Sequence, residues 1–172
     1  MAQTTADNAA KAEQKFFELL KQFDDAVLVT HSARTGSLHG RPMAVAETSE
    51  DGSIWFITGA DTPKVDELGK DAHLIAVMQK DRQFLSVSGR GELHRDRARI
   101  HKVWKEAYRA WFSGKDDPNI VLIRLNPTDA EYWDNKGFSS LKFALRFATA
   151  YISGKPMRDP NDVNVHAKVP LS

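Results

Sequence analysis

Apolar residues recur at Phe16, Phe17, Leu19, Leu20 and Phe23 with Lys and Glu between them, the spacing of one helix face. The pattern predicts an amphipathic stretch over 8–23 within an N-terminal helical segment, 1–24, and Asp7 suits its N-cap. The period then shortens. Residues 26–30 read AVLVT, and Ser32 to Ser37 with Gly36 form a turn signal. Arg41 to Thr48 alternates, Asp51-Gly52 is a hairpin signal, and SIWFIT over 53–58 makes a third strand. The three runs lie too close together for helical crossovers, so the sheet starts antiparallel.

Gly59 to Thr62 breaks the alternation, and Pro63 opens a short helix, 63–69, with Thr62 as its cap. His73 to Gln79 and Gln83 to His94 form a hairpin around Lys80-Asp81. Gly89 and Gly91 inside the second run predict a bulge or sharp bend. Asp96 caps a helix expected over 97–112, ended by Gly114. Residues 120–125 and 129–133 read as two closing strands joined by Asn126-Pro127. A last helix is expected near 139–152, with an extended tail from Lys155, so that 139–172 is helix and tail. The expectation is one α+β domain, 1–172, built as a six-stranded antiparallel barrel with flanking helices.

Composition changes this picture little. The chain has 172 residues, a formal charge of +1 and no cysteine, which excludes disulfides, thiolate metal sites and thiol nucleophiles. The charge balance gives no argument for nucleic acid, and the basic run from Arg90 to Lys102 is interrupted by Glu92 and Asp96. No apolar stretch approaches the roughly 20 residues of a membrane span. Residues 1–15 are polar without an apolar core, so a soluble, cytoplasmic protein is expected.

Candidate chemistry rests on three features. Arg41, in Gly40-Arg41-Pro42-Met43, offers a fork of donors that suits phosphate, although taken alone the motif favours a solvent-facing Arg on a barrel rim. Thr58-Gly59-Ala60-Asp61-Thr62-Pro63-Lys64 runs from a strand end into a helix N-terminus, where N–H groups, a hydroxyl and an ammonium attract anions. A capped helix with an exposed Lys fits the same residues. Four tryptophans, with Trp111 in a polar loop, could hold a planar ring or simply pack the core. The six histidines show no metal-binding spacing and no tight pairing with Asp, and no metal is expected.

The segments AVLVT, HGRPMAVAE, IWFITGADTPKVDEL, FLSVSGRGEL, WFSGKDDPNIVLIRLNPTDAEYWD and SGKP, in this order, resemble the pyridoxamine 5'-phosphate oxidase-like family, in its general stress protein 26-like branch. The resemblance covers nearly the whole chain. It implies an FMN-binding split barrel and a homodimer with the flavin at the interface. By the same resemblance Arg41, Thr62 and Lys64 hold the phosphate, and Pro42, Met43, Phe56, Ile57 and Thr58 line the isoalloxazine and ribityl. Ser88, Trp111 and Phe112 would come from the opposite subunit.

The implied function is a flavoprotein of the general stress class acting as an oxidoreductase on a small substrate. The alternatives are a non-catalytic flavin carrier or sensor, or a barrel that takes deazaflavin or haem. True pyridoxamine-phosphate oxidases end in an Arg/His-containing W-R-L-x-P-like motif. This sequence ends DPNDVNVHAKVPLS, so vitamin B6 oxidation is not expected.

Overall fold

The computed structural model describes residues 2–135, 152 and 166–171. Helix α1 (Ala2–Leu20) leads into β1 (Asp25–Ser32), β2 (Ser37–Thr48) and β3 (Ile54–Gly59). Helix α2 (Pro63–Lys70) precedes β4 (His73–Lys80) and β5 (Gln83–His94). Helix α3 (Arg97–Val103), a 3-10 turn (Glu106–Ala110), β6 (Ile120–Asp134) and β7 (His166–Pro170) complete the described chain.

The strand order is β3-β2-β1-β4-β5-β6-β7, and β6 also pairs with β3. That second pairing closes six antiparallel strands into a barrel, with β7 added outside on the second half of β6. Closure removes the open edges that a flat sheet would leave to aggregation.

Alternation sorts the side chains. Ala26, Leu28 and Thr30 on β1, Leu74, Ala76 and Met78 on β4, and Leu85 and Val87 on β5 are all buried within the barrel. The stripe read from the sequence closes one end, where Phe16, Leu19, Leu20 and Phe23 join this core. Leu68 of α2 enters the same core from the opposite end, beside Leu74. Burying each such side chain contributes about 1.5–3 kcal/mol, so the core rather than the helices' own propensity holds them in place. A second, smaller cluster lies outside the barrel. There Trp55, Ile57, Ile120 and Leu122 are covered by Ile100, Val103 and Tyr108.

Several local expectations are corrected. Asp7 lies inside α1 rather than capping it, because the Ala/Thr-rich residues before it are helical as well. The helix expected over 97–112 ends at Val103, where Trp104 is extended at φ −60° and ψ 132°. The break lets Tyr108 join Ile100 and Val103 in one cluster, and lets Lys105 donate to the Val45 carbonyl at 3.2 Å. The two expected closing strands are one continuous β6. Its register slips between Ser88 and Gly89, which face Asp129 and Pro127, so that Thr128 is the extra residue, next to Pro127, which has no N–H to give the ladder. Gly89 permits the close approach, since a Cβ there would lie 2.0 Å from the Asn126 carbonyl oxygen. Of the tail expected from Lys155, the described part, residues 166–170, is a strand whose Val169 is buried. The helix expected at 139–152 falls almost wholly outside the described residues.

Candidate functional site

The β2–β3 ladder ends at the Val45–Phe56 pair, next to a register shift at Val45/Glu47. Residues 40–44 of β2 remain paired to β1, and 57–59 of β3 to β6. The two strands therefore do not pair with each other along this stretch, and the barrel is split there. The start of α2 is placed at this split by the short loop after Gly59, which is pinned where Ala60 N–H donates to the Asn119 carbonyl at 2.7 Å.

Lys64 is buried, with its Nζ 2.8 Å from the Thr58 hydroxyl. Burial pushes its pKa down, and the Arg41 charge lowers it further, while Glu67 and Asp61 act in the opposite sense. Among the described residues no carboxylate forms an ion pair with it. Thr62 stands at the N-cap position of α2, but its hydroxyl donates to the Gly59 carbonyl at 2.8 Å instead of capping the helix. Pro63 occupies the first turn as the sequence indicates.

Arg41 faces inward from β2, opposite buried Leu28. Its Nη1 donates to the Thr30 hydroxyl at 2.7 Å and to the His39 carbonyl at 3.2 Å, and its Nη2 to Glu67 Oε2 at 2.7 Å. Glu67 is buried and also accepts from Thr30 at 2.6 Å and pairs with His39 Nδ1 at 2.7 Å. Burial alone would raise the Glu67 carboxyl, but the bonds from Thr30, His39 and Arg41 outweigh it and hold its pKa down to about 2. The result is two cations and one carboxylate facing the split, with a net positive charge.

Sequence reasoning does not single out Thr30, His39 or Glu67. The spacing of Lys64 and Glu67, three apart on one short helix, is the signal that places both on the same face.

The remaining candidates divide. Met43 faces inward and packs on the barrel core, and Phe56 is fully buried in it. Ile57 sits in the outer cluster. Pro42 faces outward, in a row with Val27, Val77 and Ser86 on neighbouring strands. The next row is Gly40, Val29, Ile75 and Ser88, so Ser88 shares this outer face. Val27, Ile75 and Val77 are exposed there, and a cavity of about 350 Å³ lies beside Leu38, Ile75 and Ser88. Trp111 is 75% exposed, whereas Phe112 packs beside Trp104 at 6.4 Å.

The histidine reading also changes. All six contact a carboxylate, from His166–Glu131 at 2.6 Å to His94–Glu92 at 3.2 Å, with Asp71 shared by His31 and His73. Four of these pairs, those of His31, His39, His101 and His166, join residues 15 to 40 positions apart, which sequence spacing conceals, whereas His73–Asp71 and His94–Glu92 are two residues apart on their strands or beside them.

Comparison with known proteins shows the family. The pyridoxamine 5'-phosphate oxidase like family matches residues 11–158. General stress protein 26 of Bacillus subtilis is 26% identical over 128 residues, which is 71% of this chain and 88% of that protein. A crystal structure of the general stress FMN/FAD binding protein from Xanthomonas citri is 30% identical with a TM-score of 0.63, covering 76% of this chain and 93% of that one. General stress protein 26 from Bacillus anthracis shares the fold at 22% identity and a TM-score of 0.63, over 69% of this chain and 91% of that chain.

Proposed function

The chain belongs to the pyridoxamine 5'-phosphate oxidase-like family, and from that premise we propose that it binds FMN in the split between β2 and β3. The observation that carries this reading is the buried ammonium of Lys64, directed at Thr58 beside Arg41 with no carboxylate paired to it among the described residues. A buried cation kept in this way suits an anionic ligand that restores its charge compensation.

The donor set fits a phosphate monoester. Lys64 supplies a point charge, Arg41 a planar edge, Thr62 a hydroxyl, and the first turn of α2 its N–H groups. Residues 40–44 and 57–59 supply strand backbone along the split, where polar ring edges find donors and acceptors. The bound flavin would supply electron transfer, and the protein would orient the ring and screen it from water.

We further propose that two copies meet through the outward face of β1, β2, β4 and β5. Exposed Val27, Ile75 and Val77 with Pro42 form an apolar face of the kind a subunit covers. In that arrangement Ser88 lies within the contact, and exposed Trp111 is free to reach the neighbouring subunit's flavin. Comparing FMN with riboflavin, which lacks the phosphate, tests the grip directly.

A further inference from the structure

The hydrogen-bond ring beneath Arg41 has a consequence for the phosphate. An arginine carries five N–H donors, three of which are used here. Both Nη1 hydrogens go to Thr30 and the His39 carbonyl, and one Nη2 hydrogen goes to Glu67. Thr30 in turn donates to the same Glu67 oxygen at 2.6 Å, so the end of the guanidinium that joins Nη1 and Nη2 faces this pair. Among the described residues, Nε–H and the second Nη2–H remain without an acceptor. They lie side by side on the guanidinium's long edge, the pair that meets two phosphate oxygens at once. His39 Nδ1 lies 3.4 Å from Nη2 but is also 2.7 Å from Glu67 Oε1. An Nδ1 that donates its hydrogen to the carboxylate has no lone pair to offer the arginine.

Resting on the FMN reading above, we infer that Glu67 is a positioning residue for phosphate recognition. It clamps one end of Arg41 so that the Nε/Nη2 edge is presented to the anion. Glu67 is 6% exposed, and no part of its role requires contact with the ligand. A flexible, unclamped arginine would have to order its side chain on binding, and the clamp removes that cost beforehand. Because Glu67 cancels the charge of Arg41, the two cations then differ in kind. Arg41 contributes directed donors, and Lys64 contributes the net charge.

The test is a double-mutant cycle read by FMN and riboflavin titration of the full chain, with Glu67→Gln as the variant because it keeps the side chain's size. Glu67→Gln is expected to weaken FMN binding about tenfold and leave riboflavin unchanged. In an Arg41→Ala background the same substitution is expected to leave FMN binding unchanged or slightly tighter, since only a negative charge near the phosphate is then lost. An equal loss of FMN affinity in both backgrounds would overturn the inference, because Glu67 would not act through Arg41. Tighter FMN binding by Glu67→Gln alone would also overturn it, showing that the carboxylate competes with phosphate for the guanidinium. Weakened riboflavin binding would assign Glu67 a general structural role. If Arg41→Ala itself left FMN binding unchanged, the reading of the phosphate site would fail first, and separately.

Discussion

The ammonium of Lys64 stands 2.8 Å from the Thr58 hydroxyl, joining the first turn of α2 to the end of β3 across the split in the barrel. A strand end and a helix start, six residues apart, are thereby fixed to one another. The ammonium gives one bond to that hydroxyl while keeping two further donors. Its burial, more than its neighbours, makes it an unusual lysine.

A pH dependence follows from that burial. The pKa of Lys64 lies below its ordinary 10.5, chiefly through burial and then through Arg41. An anion binds the protonated form, so the affinity advantage of FMN over riboflavin should fall as pH rises through this lowered value. The decline should begin at a lower pH than for an ordinary lysine. Paired titrations across the alkaline range check this, and Lys64→Met should abolish the pH-dependent part.

Acid stability reports on Glu67. Its carboxyl is held to about 2 against 4.5 for the unconstrained group, mainly because the bonds from Thr30, His39 and Arg41 overcome the opposing effect of burial. A depressed folded-state pKa stabilises the fold at pH values above 4.5. That stabilisation declines as pH falls below 4.5 and is gone once pH has passed the folded value near 2. Glu67→Gln should therefore be destabilised by about 1–3 kcal/mol at neutral pH and lose stability less steeply in acid. Denaturant unfolding at pH 7 and pH 3 measures the difference, and parallel pH profiles for the two proteins would contradict it.

The apolar outer face predicts an assembly. Val77 is 41% exposed and directly opposite Val27. Val77→Glu should leave the barrel folded, since its side chain points away from the core, and should yield a monomer by light scattering where the parent is a dimer. FMN affinity should fall with it. A Val77→Glu protein that stays dimeric would remove this face from the interface.

Much of the barrel was legible in the chain because period-two alternation and turn residues are local signals. The hairpin at Asp51-Gly52 has Gly52 at φ +79°, and Asp96 caps α3 through the N–H groups of Ala98 and Arg99, both as read. The misreadings have a common cause. Trp104 leaves the helix to serve a tertiary cluster, and Pro127 sits in a continuous strand because Gly89 opposite it accommodates the bulge. At the site, Arg41, Thr62 and Lys64 stand out by residue type and position. Thr30, His39 and Glu67 do not, because their roles depend on contacts 26 to 37 residues apart in the chain. Those contacts exist only once the barrel is closed.

The central claim is that Arg41 and Lys64 hold the phosphate of FMN. Its most direct test is titration of the protein, Arg41→Ala and Lys64→Ala with FMN and with riboflavin, followed by flavin fluorescence. Each substitution is predicted to weaken FMN by on the order of 1.5–3 kcal/mol, roughly tenfold to a hundredfold, with riboflavin unaffected. Equal losses for the two flavins, or an unsubstituted protein that binds FMN no better than riboflavin, would contradict the account.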